Sequence, residues 1–330
     1  MTKDEVLGML MEADDYVSGE QISRRLGLSR AAVNIAVAAL RDDGYDIESK
    51  TRKGYRLLSS PDRISYTELV QHISHERLQD VVILDTVDST NNRLKTLEQQ
   101  NAPSGTVVIS NHQAKGKGRR GRSFVSPKGS GIYLSYLLRP DCTAETVSSL
   151  TAYVAVAVSR ALKRSCGLDT QIKWVNDILS GGRKLAGILT ELSLESESGS
   201  ITGCVIGIGI NVNLKESDFP SDIRDKATSI RLSKGAPVKR APVIAALIEE
   251  LDLLQKDFPS AKAEYLEYYR THCPIIGKTI NVYKIIGKDP VTAKALKITD
   301  DFSLRVEYED GSCEDLRSGE VTIRGTEGYI

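Results

Sequence analysis

The apolar positions of the first sixty residues repeat with the spacing of short amphipathic helices. The first helix is predicted from the stripe Val6, Leu7, Leu10 and Met11. Ser18 precedes Gln21 by three residues, which predicts a capping box at the start of a second helix, and Gly27 is predicted to end it. Ser29 predicts the N-cap of a third helix. Its predicted buried face consists of Val33, Ala36, Val37 and Leu40. Two helices joined by a short glycine-containing turn form a helix-turn-helix pattern.

A wing and a local excess of positive charge follow this pattern. The segment 45–57, YDIESKTRKGYRL, predicts two short strands around a turn. Residues 1–20 contain six acids and one lysine, whereas residues 21–41 contain four arginines and no acid. A basic surface on a domain that is not basic as a whole is typical of a surface that binds phosphates. A solvated bundle, or a winged helix that contacts protein, is the alternative.

The predicted DNA-binding residues lie on the second helix, the third helix and the wing. They are Arg24, Arg25, Ser29, Arg30, Asn34, Lys50, Arg52 and Lys53. Only Arg30 and Asn34 are predicted to read base edges, because the middle of the third helix is apolar. The apolar residues there are Ile35, Ala36 and Ala38. Phosphate and wing contacts are therefore expected to supply most of the affinity.

From about residue 64 the pattern changes to strands that alternate with helices. The β-rich runs are DVVILDTV, GTVVIS, GIYLSYLL, TQIKWV, LAGILTEL and GCVIGIGINV, and helical patterns cover residues 146–165 and 242–270. The fold class is thus α+β and multidomain. We predict a winged helix-turn-helix at 1–63, ending in the linker SSPDR, and a mixed α/β domain with one large sheet at 64–275. A small SH3-like β-barrel is predicted at 276–330.

Composition narrows the class of protein. The chain has 330 residues, 40% of them hydrophobic, with 44 basic and 44 acidic residues, so attraction to a polyanion must be local. The longest apolar run, AYVAVAV, is too short to span a bilayer. The five cysteines show no CxxC spacing, which argues against zinc sites and disulfides. We therefore expect a reduced, cytoplasmic protein with no membrane partner.

A second basic region lies inside the predicted α/β domain. Residues 111–140 contain seven lysines and arginines and no acid. The basic loop, GKGRRGR at 116–122, holds four of them among three glycines. Such a loop is expected to be mobile alone and to be ordered by an anion such as a phosphate. A floppy basic loop without function is the alternative. Its place between two strands, where α/β enzymes carry binding loops, favours a binding role.

A series of motifs in this domain resembles that of the biotin–protein ligases. The motifs are DSTN (88–91), HQAKGKGRRGRSFVSPKGSGIYLS (112–135), KWVNDI (173–178), RKLAGILTE (183–191) and GIGINV (207–212). With the helix-turn-helix in front, the chain resembles the bifunctional type, a ligase that also represses the biotin operon. The resemblance runs from about Ser18 to Arg324. It implies formation of biotinyl-5′-AMP from biotin and ATP with Mg²⁺, followed by biotin transfer to a lysine.

The same resemblance implies partners and site residues. The implied partners are biotin carboxyl carrier domains (acetyl-CoA carboxylase, with pyruvate carboxylase as a second candidate), operator DNA, and a homodimer promoted by biotinyl-5′-AMP. Lys184 and Arg119 are the implied catalytic residues. The implied biotin-binding residues are Ser89, Thr90, Asn91, Gln113, Lys117, Gly118, Arg119 and Lys184. The implied nucleotide-binding residues are Arg119, Arg122, Phe124, Asn176, Asn211, Glu320 and Arg324, with Asp177 a candidate for placing Mg²⁺.

Two departures from the family pattern stand in these motifs. Lys117 replaces the more usual arginine, and Val175 replaces the usual proline. Two other functions remain open from the sequence. One is a lipoate-type acyl-adenylating ligase, which shares the fold. The other is a repressor that senses a ligand without ligase activity.

Overall fold

The computed structural model describes residues 2–194, 201–284, 289–317 and 322–325. The chain divides into two compact units, an N-terminal unit (Met1–Ser74) and a C-terminal unit (His75–Ile330). Within the described ranges, no helix combines the length and the apolarity needed to cross a bilayer.

The N-terminal unit is the predicted winged helix-turn-helix. Its elements are α1 (Thr2–Met11), α2 (Gly19–Leu26), α3 (Arg30–Asp42), β1 (Asp46–Lys50) and β2 (Gly54–Ser59), followed by α4 (Tyr66–Leu69). The capping box is present, because the Ser18 hydroxyl accepts from the Gln21 backbone and the Gln21 side chain accepts from the Ser18 backbone. Gly27 ends α2 with φ 66°, a left-handed conformation that favours glycine. Strands β1 and β2 pair antiparallel as the wing.

The core of this unit lies between the helices and the wing. It consists of Val6, Leu7, Leu10, Ile22, Val33, Ala36, Val37, Leu40, Tyr45 and Ile47. The N-terminal unit continues past the predicted linker at 59–63. The Tyr45 hydroxyl donates to Glu68 over 3.2 Å, and Arg63 pairs with Asp43 at 3.2 Å. The structural unit therefore includes α4 and ends about ten residues later than the predicted domain.

One seven-stranded sheet organises the C-terminal unit. Its strands are β3 (Val81–Leu84), β4 (Val107–Ser110), β5 (Gly131–Leu138), β6 (Gln171–Lys173), β7 (Asp177–Ser180), β8 (Arg183–Leu194) and β9 (Ile201–Asn211). They run in the order β3-β4-β5-β9-β8-β7-β6. The β3/β4 pair is parallel and the remaining pairs are antiparallel. The sheet is mixed, as the sequence predicts, and the hairpin strand β7 is an addition to the predicted runs.

Helices cover the sheet on both faces. They are α5 (His75–Leu78), α6 (Thr90–Gln99), α7 (Ala144–Val147), α8 (Leu150–Cys166), α9 (Ile230–Lys234), α10 (Arg240–Asp257) and α11 (Lys262–Thr271). Leu94 of α6 packs on Val108, Leu137 and Val205. From the opposite face of β5, the Tyr136 hydroxyl donates to Asp252 of α10 over 2.9 Å. The single helical pattern predicted at 242–270 is wrong, because Pro259 lacks the amide hydrogen that a continuous helix needs.

The chain ends in a separate antiparallel sheet. Its strands are β10 (Thr279–Tyr283), β11 (Val291–Ile298), β12 (Leu304–Tyr308), β13 (Cys313–Leu316) and β14 (Thr322–Gly325), in the order β13-β12-β11-β10-β14. The predicted hairpin is present, with Gly311 at φ 78° between β12 and β13. Trp174 donates its indole N–H to the carbonyl of Phe302 over 2.9 Å, so this small sheet packs within the C-terminal unit.

Candidate active site and nucleic-acid surface

A pocket opens on the α6 face of the large sheet, where glycines replace side chains. Gly187 of β8 and Gly209 of β9 are direct cross-strand partners. A Cβ atom on Gly209 would lie 2.5 Å from the ring of Phe124, and one on Gly207 would lie 2.2 Å from Asn91 Oδ1. Both distances are below any ordinary contact. Glycine is therefore required here so that the sheet leaves room for the pocket and for the side chains above it.

The pocket brings together all five motifs, which the sequence distributes over residues 88–212. It holds about 470 Å³ of empty space, part of it open to solvent. The lining residues are Ser89, Thr90, Asn91, Gln113, Lys117, Gly118, Arg119, Phe124, Asn176, Lys184, Gly187, Ile188, Leu189, Gly207, Ile208 and Gly209. All predicted biotin-binding residues are among them. The lining carries three cations and, within the described ranges, no carboxylate.

Neutral hydrogen-bonding groups form one end of the pocket. Gln113 Oε1 accepts from the Thr90 backbone at 2.9 Å and from the Thr90 hydroxyl at 3.1 Å, and its amide nitrogen donates to Ser126 at 3.1 Å. The Gln113 side chain thus caps the first turn of α6, a role that the N-cap residue usually has. Ser89, at the N-cap position and 1% exposed, makes no side-chain capping bond. Its hydroxyl remains available for a ligand that offers both donors and acceptors.

A buried network beneath these residues was missed by the sequence analysis. Asn91 accepts from Ser135 over 2.6 Å and donates to Glu191 over 2.7 Å, and Lys95 donates to the other oxygen of Glu191 over 2.7 Å. Burial raises the pKa of the Glu191 carboxyl, but the bonds from Lys95 and Asn91 outweigh it and hold the pKa below its usual value. Glu191 therefore stays ionised and fixes Asn91 against Gly207. Its position at the end of the RKLAGILTE motif was the available signal.

We predict that Glu191→Ala raises the KM for biotin roughly five- to thirtyfold, the factor that corresponds to losing one or two kcal/mol of positioning. The KM for ATP should change little, and Glu191→Gln should restore part of the loss by keeping a bond to Asn91. Steady-state kinetics with each substrate varied separately measures both values. Glu249→Ala, which removes an exposed partner of Arg164, is the control. An unchanged KM for biotin in Glu191→Ala would contradict the positioning role.

The basic loop has a defined conformation over the pocket. The Gly118 amide donates to the Arg122 carbonyl over 2.7 Å, and the Phe124 amide donates to the Gly116 carbonyl over 2.9 Å. The backbones of Lys117 and Ser123 form an antiparallel β-bridge. These backbone bonds tie the two ends of the loop together. Ordering of the loop by an anion stays a prediction.

Arg119 points from this loop to the other side of the pocket. Its guanidinium donates to Asn176 Oδ1 over 3.1 Å, and Asn176 in turn donates to the Ile188 carbonyl over 2.9 Å. Burial lowers the pKa of Arg119, while the nearby carboxylate of Asp177 opposes this shift. The group remains a cation at neutral pH because an arginine pKa starts far above it. Arg119 is thus a half-buried positive charge held across the pocket.

Lys184 supplies a second cation to the pocket. Its ammonium lies 2.6 Å from Asp177 Oδ1. This ion pair would compete with a metal ion for the Asp177 carboxylate. Within the described ranges, no group of three or more His, Cys, Asp or Glu side chains could hold a metal ion. The described residues thus offer no protein cage for Mg²⁺, and they fit a metal that arrives on the phosphates of ATP.

The remaining predicted nucleotide residues have different positions. Phe124 lines the pocket, with its ring 6.5 Å from that of Tyr133 in an edge arrangement. Arg122 is exposed on the basic loop, outside the pocket lining. Asn211 is buried and donates to the Thr228 carbonyl over 3.0 Å. The backbone of Arg324 pairs with Asn281 in β14/β10, and Glu320 lies outside the described residues.

The basic surface of the N-terminal unit includes acids that the linear charge pattern does not show. Glu20 pairs with Arg30 at 2.9 Å and with Arg24 at 3.4 Å, and Glu12 pairs with Arg25 at 3.1 Å. Exposed ion pairs of this kind contribute at most about 1 kcal/mol. Phosphates can therefore replace these acids as partners, although each replacement reduces the net gain.

The wing and α3 present the other predicted DNA-binding groups. The cations Lys50, Lys53 and Arg56 lie 5.6 to 6.0 Å from the ring centroid of Tyr16. Ser29 serves as the N-cap of α3, and Asn34 and Arg52 are exposed. Ala36 lies on the predicted buried face of α3, since it is 5% exposed and belongs to the core. Ile35, by contrast, is 70% exposed.

Known proteins share both units. The family model described as Biotin/lipoate A/B protein ligase family matches residues 83–211, and the model described as HTH domain matches residues 2–56. "Bifunctional ligase/repressor BirA" of Bacillus subtilis (strain 168) is 34% identical over 313 residues, which cover 94% of this chain and 95% of that protein. The protein of the same name from Escherichia coli (strain K12) is 30% identical over 319 residues, 96% of each chain.

A solved structure agrees with these relatives. Biotin protein ligase from Aquifex aeolicus, in complex with biotin and ATP, gives a TM-score of 0.64 at 28% identity, covering 74% of this chain and 99% of that one. A helix-turn-helix unit joined to a ligase fold with a cation-lined pocket defines a class of protein that combines DNA binding with ligation. The chain belongs to the biotin–protein ligase family, and within it to the bifunctional ligase/repressor type.

Proposed function

We propose that the C-terminal unit activates biotin with ATP and transfers the biotinyl group to a lysine of a carboxyl carrier domain. The observation that carries the proposal is the division of the pocket. One end offers neutral donors and acceptors at Ser89, Thr90 and Gln113, which suit a ureido ring, and the other carries the cations Arg119 and Lys184, which suit a carboxylate beside a phosphate.

The first step joins two anions. A biotin carboxylate oxygen attacks the α-phosphorus of ATP, the bond to pyrophosphate breaks, and biotinyl-5′-AMP forms. Lys184 and Arg119 neutralise the negative charge of both reactants and the charge that develops at phosphorus. Mg²⁺, bound to ATP, would neutralise the phosphates further. Asn176 holds Arg119 in place for this step, and Phe124 offers an apolar ring for the adenine.

The second step consumes the adenylate. The neutral amine of the acceptor lysine attacks the biotinyl carbonyl, AMP leaves with the bonding electrons, and the amine loses a proton. Until the acceptor arrives, the reactive anhydride must be kept from water and from other amines. The basic loop serves as the cover, because Arg119 spans the pocket from it.

A lipoate-type ligase is the second candidate function, since the matching family model includes lipoate ligases. The hydrogen-bonding end of the pocket favours biotin, because a dithiolane ring has no polar group to bond to the buried Ser89 hydroxyl. The test incubates the full chain with ATP, Mg²⁺ and a carboxyl carrier domain of acetyl-CoA carboxylase, with biotin or lipoate. Mass spectrometry should show one biotinyl group per carrier. Lipoylation would identify the second candidate, and no acylation would leave a ligand-sensing repressor.

We further propose that biotinyl-5′-AMP is a corepressor that promotes a homodimer on operator DNA. One winged helix with few polar base-reading side chains should bind DNA weakly. Two winged helices in a dimer bind a two-part operator far more tightly, because the second contact becomes intramolecular. These activities suit the cytoplasm, where the five free cysteines would stay reduced.

The repressor proposal is tested by fluorescence anisotropy with a labelled duplex from upstream of the biotin genes in the protein's own genome. Biotin with ATP should tighten binding and steepen its dependence on salt, because twice as many phosphates are engaged. A chain that lacks residues 1–74 should retain ligase activity and lose DNA binding. Equal affinity with and without the ligands, on a footprinted operator, would reject the switch.

A further inference from the structure

The outward face of α3 forms an apolar surface within a basic one. Successive turns place Arg30, Asn34 and Ala38 on one ridge and Ala31 and Ile35 on the next, since residues four apart are neighbours on a helix. All five are exposed, and the Ile35 side chain is 70% exposed. Covering a large branched apolar side chain that is so exposed to water is favourable in free energy, whatever the partner.

The charges around this face select the partner. The cationic wing and exposed arginines at 24, 25 and 30 surround it. These arginines pair with Glu20 and Glu12 in exposed, weak ion pairs, so an anionic covering molecule can replace the two acids as their partner. A duplex DNA groove fits this description, because its phosphates flank a floor of base edges. In the major groove, the apolar group on that floor is the C5-methyl of thymine.

Asn34 is restricted by its own contacts. The Tyr55 hydroxyl, from the wing, donates to Asn34 Oδ1. The Asn34 amide nitrogen is a donor, and an acceptor beside a thymine methyl is the thymine O4. The pair Asn34 and Ile35 thus offers a hydrogen-bond donor and an apolar contact that match the two major-groove features of one thymine or of adjacent thymines.

We propose that α3 reads its DNA site chiefly by contact of Ile35, with the exposed alanines 31 and 38, on thymine methyl groups. The inference rests on the proposed DNA-binding function and adds its mechanism of base selection. Sequence preference then comes from apolar contact, and a shortage of polar side chains on α3 does not imply weak specificity. The protein should favour sites with thymine at the positions facing Ile35.

The test removes the methyl group from DNA without changing base pairing. The full chain, with biotin and ATP, selects duplexes from a random pool, and each thymine of the selected site is then replaced singly by deoxyuridine. At one or more positions wild-type affinity should fall roughly fourfold per methyl group, the factor that burying one such group is worth. Ile35→Ala should bind the thymine duplex more weakly and discriminate thymine from uracil by a factor near one at that position.

Two comparisons separate the possible failures. Leu58→Ala, which truncates another exposed aliphatic side chain of the same unit, should keep the wild-type ratio of thymine to uracil affinities. Selection of a defined site whose affinity is indifferent to every uracil replacement, or an unchanged ratio in Ile35→Ala, would overturn methyl reading and leave the DNA-binding function standing. Binding without any preferred sequence would also overturn it. Absence of binding to any duplex would remove the proposed DNA-binding function and this inference with it.

Discussion

Lys184→Ala should lower the rate of adenylate formation by a factor of about 10²–10³, because loss of one preorganised charge in such a site costs about 2.7–4 kcal/mol of transition-state stabilisation. The variant should fold normally, since Lys184 is only half-buried and the Arg119 guanidinium lies near enough to Asp177 to offset its charge. Pyrophosphate release with biotin and ATP measures the rate, and a thermal melt verifies the fold.

Two variants sharpen this expectation. Lys184→Arg keeps the charge and should retain more activity than alanine, although the bulkier guanidinium will not reproduce the ammonium position. Lys128→Ala removes an exposed lysine that pairs with Asp85, outside the pocket lining, and should leave the rate unchanged. Near-normal pyrophosphate release in a folded Lys184→Ala protein would show that the catalytic lysine has been misassigned.

Arg119→Gly should convert selective biotin transfer into indiscriminate labelling. The substitution removes the guanidinium that reaches Asn176 across the pocket, so the loop loses its tie to the opposite wall. Adenylate formation should continue at a reduced rate with Lys184 in place. The activated biotin then escapes before an acceptor docks, and it acylates exposed lysines of any protein nearby. Incubation with a carrier domain and serum albumin, followed by mass spectrometry, measures the ratio of labels.

Arg120→Gly is the matched control for this experiment. It removes the adjacent arginine of the same loop, and its backbone at φ 55° is a conformation that glycine adopts without strain. This variant should keep transfer confined to the carrier. If Arg119→Gly and Arg120→Gly both label only the carrier, Arg119 is not the residue that holds the basic loop closed over the pocket.

Local sequence determined the elements whose signals lie within a few residues. Ser18 and Gln21 make their capping box because both partners sit on one helical turn, and Gly131–Leu138 is a strand over the predicted length. Contacts of this range need no tertiary information. The helix predicted across residues 242–270 was the exception, since the prediction ran through Pro259, where the structure has two helices in place of one.

Tertiary structure decided what the charges and the apolar residues do. Residues 21–41 contain no acid, yet Glu12 reaches Arg25 and Glu20 reaches Arg30, because the helices pack side by side. The helical period predicted Ala36 in the core, but only the folded unit showed that Ile35, one position earlier, is 70% exposed. The sequence by itself determined the motif order, and through it the family. Only the folded sheet, by pairing Gly187 with Gly209 beneath Phe124, created the pocket that brings those distant motifs together, because the space for a ligand depends on side chains missing from two strands at once.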